Sequence, residues 1–202
     1  VVYGLLLAAL VIITGGLHLD GFADTCDGIA GHKTVAERLR IMRDSRVGAF
    51  AVVGVFLLLL IKYVALASIP ANLVTTALVL MPVVSRWAMV YAVAANPYAR
   101  PAGLGQAFKQ GATGMRLIIA TIITLVVTLG VTYLAKITWF YVAAAAIIIG
   151  VWVVTLCLAA WLRRKLGGLS GDSYGAVNEV AEVVVLMVIL VMAQRQWFGM
   201  PV

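Results

Sequence analysis

Asp20, Asp24 and Asp27 recur at i, i+4 and i+7, the spacing that brings three carboxylates to one face of a helix. Carboxylates so placed repel one another and are tolerated together when a cation sits among them; a hard, oxygen-seeking ion such as Mg²⁺ suits them. The sharpest short pattern is Asp24-Thr25-Cys26-Asp27-Gly28, in which two acids can reach one ion and the glycine lets backbone or a phosphate come close. In a soluble protein the same pair would more often be solvated, helix-capping aspartates. Glu179 and Glu182 form a second pair at i, i+3, which either joins the metal site or pairs with Arg86 or with the basic run Arg163, Arg164 and Lys165. Arg86 lies in an apolar run and needs an anionic partner, either a protein carboxylate or a substrate phosphate that its fork would grip. His18, beside the acids, is a candidate general base or else a structural hydrogen-bonding residue at a helix end. Arg100, with the turn Gly103-Leu104-Gly105, offers phosphate contacts or merely marks topology. His18, Asp20, Cys26 and His32 fit no zinc spacing.

These residues are embedded in an unusual background. The 202-residue chain is 64% hydrophobic and 11% charged, with a mean hydropathy of +1.09, which excludes an ordinary soluble domain and implies a polytopic membrane protein. A formal net charge of +7 could point to nucleic acid, but the basic residues sit in short loops between apolar runs, so no nucleic-acid partner is expected. Cys26 and Cys157 have no disulfide or metal-knuckle spacing and read as free thiols. The chain opens without Met inside an apolar segment, and an N-terminal part of a longer protein is expected to precede it.

Apolar runs long enough to span a bilayer cover residues 1–17, 48–67, 72–95, 117–135, 138–162 and 177–193. The expectation is an all-α bundle of about six spans forming one transmembrane domain over 1–202. Loops at 18–47, 96–116 and 163–176 hold eleven of the fifteen basic residues, which makes them cytoplasmic. All eight carboxylates fall in those loops or in the first two turns of the sixth span, so the active site is expected at the cytoplasmic face. The stretch 18–47 is an acid-rich loop in which Thr34 and Glu37 read as a capping box opening a helix that runs to about Asp44 and lies at the headgroups. The acid- and glycine-rich segments 15–31 and 167–182 look like two halves of one pocket. Lys62, Tyr98 and the tryptophans read as interface anchors or lipid-facing residues.

With those residues in view the chain resembles the cobalamin synthases, the adenosylcobinamide-GDP ribazoletransferases. The resemblance rests on Gly15-Gly16-Leu17-His18-Leu19-Asp20-Gly21-Phe22-Ala23-Asp24-Thr25-Cys26-Asp27-Gly28, then Ile41-Met42-Arg43-Asp44-Ser45-Arg46-Val47-Gly48, Ser85-Arg86, Tyr98 with Arg100, and Gly167 to Asp172 leading on to Glu179 and Glu182. It covers nearly the whole chain; Ser170 and Tyr174 depart from the family's more frequent Thr and Leu. It implies an Mg²⁺-dependent, multi-pass transferase of the inner membrane that acts at the last assembly stage of vitamin B12. The reaction joins adenosylcobinamide-GDP to α-ribazole or its 5′-phosphate and releases GMP. By that resemblance Asp20, Asp24, Asp27, Glu179 and Glu182 would hold metal, and Arg46, Ser85, Arg86, Arg100, Asp172 and Asn178 would bind substrate. His18 or Asp44 would transfer the proton. The expected partners are the small-molecule substrates and the lipid bilayer, and a homo-oligomer is left open. A CDP-alcohol phosphotransferase is the nearest alternative, since Asp24, Asp27 and Gly28 match its opening, but His32 stands in place of its Arg and its later acid spacing is missing. A cation-coupled transporter would instead want acids at mid-span and broken helices.

Overall fold

The computed structural model describes residues 1–31, 33–100, 104–137 and 139–194, and within them the chain is helical with no strands. The helices are α1 (Val2–Ile13), α2 (Leu17–Ile29), α3 (Val35–Ile41), α4 (Ala49–Ser68), α5 (Ala71–Ala95), α6 (Leu104–Gly111), α7 (Gly114–Leu134), α8 (Phe140–Leu166) and α9 (Gly171–Gln194). Helices α4, α5, α7, α8 and α9 are each long and apolar enough to cross a bilayer. Helix α1, apolar but only 12 residues long, amounts to a sixth span only if it is taken together with α2. At Gly15 and Gly16, both with positive φ, the chain bends by 90° and turns α2 across α1.

Helix α9 is the centre of the bundle and packs against α2, α4, α5 and α8, with Val177, Ala181, Val185 and Leu186 fully enclosed. Helix α5 is the other buried span. Helices α4 and α7 keep a broad apolar face outward, including Phe50, Val53 and Phe56 on one and Ile118, Ile122 and Val126 on the other. A face of that extent is stable against lipid tails rather than water.

Several expectations need correction. The stretch 18–47 is mostly helix: its glycines and charges look like a loop in isolation, but α2 is sheltered between α9 and α4. The capping box at Thr34 and Glu37 is present, and the helix it opens ends at Ile41 rather than near Asp44. Arg38 does not point outward from this helix. It is 4% exposed and donates to the carbonyls of Gly28, Ile29 and Gly31, closing the C-terminus of α2. Helix α8 runs on through Arg163, Arg164 and Lys165, which are exposed, so the last basic loop shrinks to 167–170. Tyr98 and Trp87 are not lipid anchors: the ring of Tyr98 packs on Gly105 of α6, and buried Trp87 donates to Thr121 at 2.9 Å. Both cysteines are free thiols. His32 and Gly103 lie outside the described residues.

Candidate active site

The site is assembled at the end of the bundle where α2, the C-terminus of α5 and the N-termini of α4, α7 and α9 meet. Two glycines bring α2 onto α9. A Cβ on Gly21 would stand 2.9 Å from the backbone oxygen of Asp172, and one on Gly175 would stand 2.8 Å from that of His18. Any side chain there would force the helices apart, so small residues are what allow the two acid-rich segments to share one site. A second clamp fixes the loop after α5, where Ala99 N–H donates to Leu169 C=O at 2.8 Å and Leu169 N–H donates to Pro97 C=O at 2.9 Å. This places Arg100 beside Asp172, its Nη2 donating to Oδ2 at 2.8 Å. At the start of α9, Ser170 and Ser173 exchange backbone-to-hydroxyl hydrogen bonds at 3.2 and 3.3 Å and fix the turn that presents Asp172.

Of the acids on α2, Asp20 is exposed and lies at the rim of a cavity, with Asp24 half-buried one turn further on. Burial, then the nearby charges of Asp20 and Asp172, push the Asp24 carboxyl up to about 6. Asp27 is engaged differently. Its Oδ2 accepts from Gly48 N–H at 2.7 Å and its Oδ1 from Ala51 N–H at 2.9 Å, so it caps the N-terminus of α4, which has no capping side chain of its own.

Among the described residues no three His, Cys, Asp or Glu side chains converge as a complete metal-binding set. Mg²⁺ does not need one, because it commonly binds through one or two carboxylates while keeping waters and taking substrate phosphates. Asp20 and Asp24, mutually repulsive and one turn apart, fit that requirement.

Glu179 and Glu182 sit deeper than expected. Because α9 begins at Gly171 they are roughly 12 and 17 Å along it, about a third and nearly half of its length, rather than in its first two turns. Both are buried, and Lys62 of α4 lies between them, its Nζ donating to Glu179 Oε2 at 2.5 Å and to Glu182 Oε2 at 2.7 Å. Lys62 is 3% exposed, so its assignment to the interface or lipid is wrong; a lysine at that depth needs anions, and these two glutamates supply them. Arg86 Nη1 donates to Glu182 Oε1 at 3.1 Å, to Ser85 Oγ at 3.1 Å and to the side-chain carbonyl of Asn178, while Asn178 Nδ2 donates to the same Glu182 oxygen at 3.1 Å. The exposed run Arg163 to Lys165 has no part in this network.

His18 connects the two groups of residues. It is half-buried at the cavity rim, its Nδ1 is buried with no hydrogen-bond partner, and burial followed by the Arg86 charge lowers its pKa below the usual imidazole value. Asp44 and Arg46 are not brought to the cavity. They form an exposed ion pair at 2.6 Å between α3 and α4, and the hydrogen bonds from Arg46 hold the Asp44 carboxyl down at about 2.

The cavity has a volume of about 630 Å³ and lies between α2, α5, α6, α7 and α9. Sequence reading missed both it and the Lys62 bridge. The only local signal for the latter was a lone lysine inside an apolar run.

The family model for cobalamin-5-phosphate synthase matches residues 1–190. The adenosylcobinamide-GDP ribazoletransferase of Geotalea daltonii is 39% identical over 193 residues, covering 95% of this chain and 74% of the relative. The proteins of the same name from Fusobacterium nucleatum and Desulforamulus reducens are 35% and 37% identical, covering 90% and 91% of this chain and 70% and 71% of theirs. No solved structure matches the chain. With nearly its full length matched and the acid-rich helices packed as one site, the chain belongs to the cobalamin-5-phosphate synthase family.

Proposed function

We propose that this protein is an adenosylcobinamide-GDP ribazoletransferase, joining adenosylcobinamide-GDP to α-ribazole or its 5′-phosphate with release of GMP at the end of cobalamin assembly. The observation that carries this reading is the meeting of His18, Asp20, Arg100 and Asp172 along one cavity, with Asp24 close enough to Asp20 and Asp172 to feel their charges, in a chain matched to the family over residues 1–190. In this reaction a ribose hydroxyl of the ribazole attacks the phosphorus bonded to the corrinoid side chain. A new P–O bond forms, the bridging P–O bond breaks, and GMP departs with the bond's electrons. His18, neutral near pH 7, takes the hydroxyl proton. Arg100 lies where it can grip phosphate oxygens. Ser85, Asn178 and Glu182 hold Arg86 in a fixed orientation, so its guanidinium would need no reorganisation to meet charge developing on the phosphoryl oxygens. Asp20 and Asp24 would hold Mg²⁺, which when bound neutralises pyrophosphate charge. Asp44, already committed to Arg46, is a poor base, which favours His18 for proton transfer.

The basic residues at this end of the bundle support a cytoplasmic site in the inner membrane, where water-soluble nucleotides are available. The experiment is GMP release by the purified protein in liposomes, given adenosylcobinamide-GDP and α-ribazole 5′-phosphate with Mg²⁺ present or chelated. Release that needs both substrates and Mg²⁺ is the expected result. Absence of release would return attention to the CDP-alcohol phosphotransferase alternative. Movement of substrate across the bilayer without GMP formation would favour transport, for which the buried Lys62–glutamate network is the supporting feature.

A further inference from the structure

We infer that the 630 Å³ cavity is the acceptor pocket: it encloses the dimethylbenzimidazole base of ribazole and holds the ribose at the acidic rim. The inference rests on the proposed reaction and adds to it which substrate goes where. Size decides first. A cavity of this volume encloses a drug-sized ligand, whereas a corrin macrocycle with its amide arms and attached nucleotide is far larger and must remain outside. The distribution of polarity decides next. The lining is mostly apolar, with Met89 and Val93 of α5, Phe108 of α6, Ala112 and the ring of Tyr98, and its ionisable members are His18, Asp20, Arg100, Arg116 and Asp172. Guanine carries donors and acceptors around most of its edge and would lose hydrogen bonds against such walls. A dimethylbenzimidazole is planar and apolar, with one ring nitrogen left to accept a hydrogen bond, and its only strongly polar part is the attached sugar.

Tyr174 supplies an independent observation. It lines the cavity, is 3% exposed, and its hydroxyl is buried without a hydrogen-bond partner. Such a hydroxyl is costly unless something pairs with it. The ring nitrogen of the base is an acceptor of the right kind, and it is the single polar atom that would otherwise be unmatched inside the pocket. With the base so placed, the ribose hydroxyls lie beside His18 and the acids, where the proposed attack needs them.

The test uses the full chain in nanodiscs. In Ala112→Phe, which fills the pocket, KM for α-ribazole should rise roughly tenfold or more, as loss of a well-buried contact would give, while KM for adenosylcobinamide-GDP stays unchanged. Tyr174→Phe should raise the ribazole KM severalfold with the same selectivity. Because Ala112→Phe could misfold, a diazirine-bearing dimethylbenzimidazole riboside is also photolysed with the wild-type protein. Labelling should fall on the peptides that contain Met89 to Val93 and Phe108 to Ala112, and unlabelled α-ribazole should block it. A rise in the KM for adenosylcobinamide-GDP instead, or labelling elsewhere, would overturn the assignment. Turnover with neither KM moved and no competable labelling would also overturn it and make the cavity a lipid or detergent site. Absence of GMP release from the wild type, in contrast, would reject the proposed reaction itself, while competable labelling of the same peptides would still place the base.

Discussion

Asp24 and Asp27 stand three residues apart on α2 and do different work, because their neighbours differ. Asp27 meets the open N-terminus of α4 and accepts from Gly48 and Ala51 there, so Asp27→Ala should cost about 0.5–2 kcal/mol of stability, the usual loss for a helix cap. It should leave the Mg²⁺ concentration for half-maximal turnover near the wild-type value, whereas Asp24→Asn should raise it strongly. If the Asp27 variant melted normally and lost Mg²⁺ response, the capping account would be wrong. Asp24 meets Asp20 and Asp172 instead. Its carboxyl titrates at about 6 in the fold, above the ordinary 3.8, so the folded state favours the protonated form. That contribution is fully present below 3.8 and is lost as pH rises through about 6. Melting in detergent with EDTA should therefore show stability falling across this window. Asp24→Asn should flatten the fall, and Mg²⁺ at neutral pH should restore the wild type more than the variant. An identical pH profile in wild type and variant would rule out this origin of the shift. The sequence spacing is enough to suggest an acid cluster, but it cannot show that one of its members caps another helix, because the cap's partners lie 21 and 24 residues further on.

The same limit appears among the helices. What depends on neighbouring residues was readable: the Thr34–Glu37 capping box and the long apolar runs. What depends on tertiary register was not. Helix α9 starts at Gly171 because Ser170 and Ser173 close its first turn, and those six extra residues before 177 carry Glu179 and Glu182 to the depth of Lys62. No local pattern couples Lys62 to residues 117 and 120 positions away. The pairing has an energetic consequence. Lys62→Met would leave two buried carboxylates with only Arg86, and breaking a buried pair from one side costs about 3–5 kcal/mol. Adding Glu179→Gln removes the uncompensated charge and leaves Glu182 with Arg86, so the double variant should recover much of the loss. Thermal melting of the single and double variants reads this directly. A double variant no more stable than Lys62→Met would show that packing of the lysine stem, not charge balance, is what α4 contributes.

At the scale of the whole molecule, one end of the bundle collects the exposed cations Arg163, Arg164 and Lys165, the acid-rich α2 and the cavity, while the turn between α4 and α5 at Ile69 and Pro70 carries no charge. Several basic residues at the charged end are also tied to structure. Lys109 donates to the carbonyls of Val93 and Ala94 at the end of α5, and Arg116 to that of Gly111, so removing them singly would disturb helix ends as well as topology. The run Arg163 to Lys165 has no such bonds and is the cleaner determinant of orientation. In a background with Cys26 and Cys157 replaced by serine, a cysteine at Arg164 should react with a membrane-impermeant maleimide in inside-out vesicles and not in intact cells. A cysteine at Pro70 should show the reverse. Changing all three residues of the run to glutamine should weaken this asymmetry without affecting the distances that build the site, because none of the three touches it. Labelling of Arg164→Cys from outside intact cells would place the acidic rim on the wrong side for cytoplasmic nucleotides and would remove the topological support for the proposed reaction.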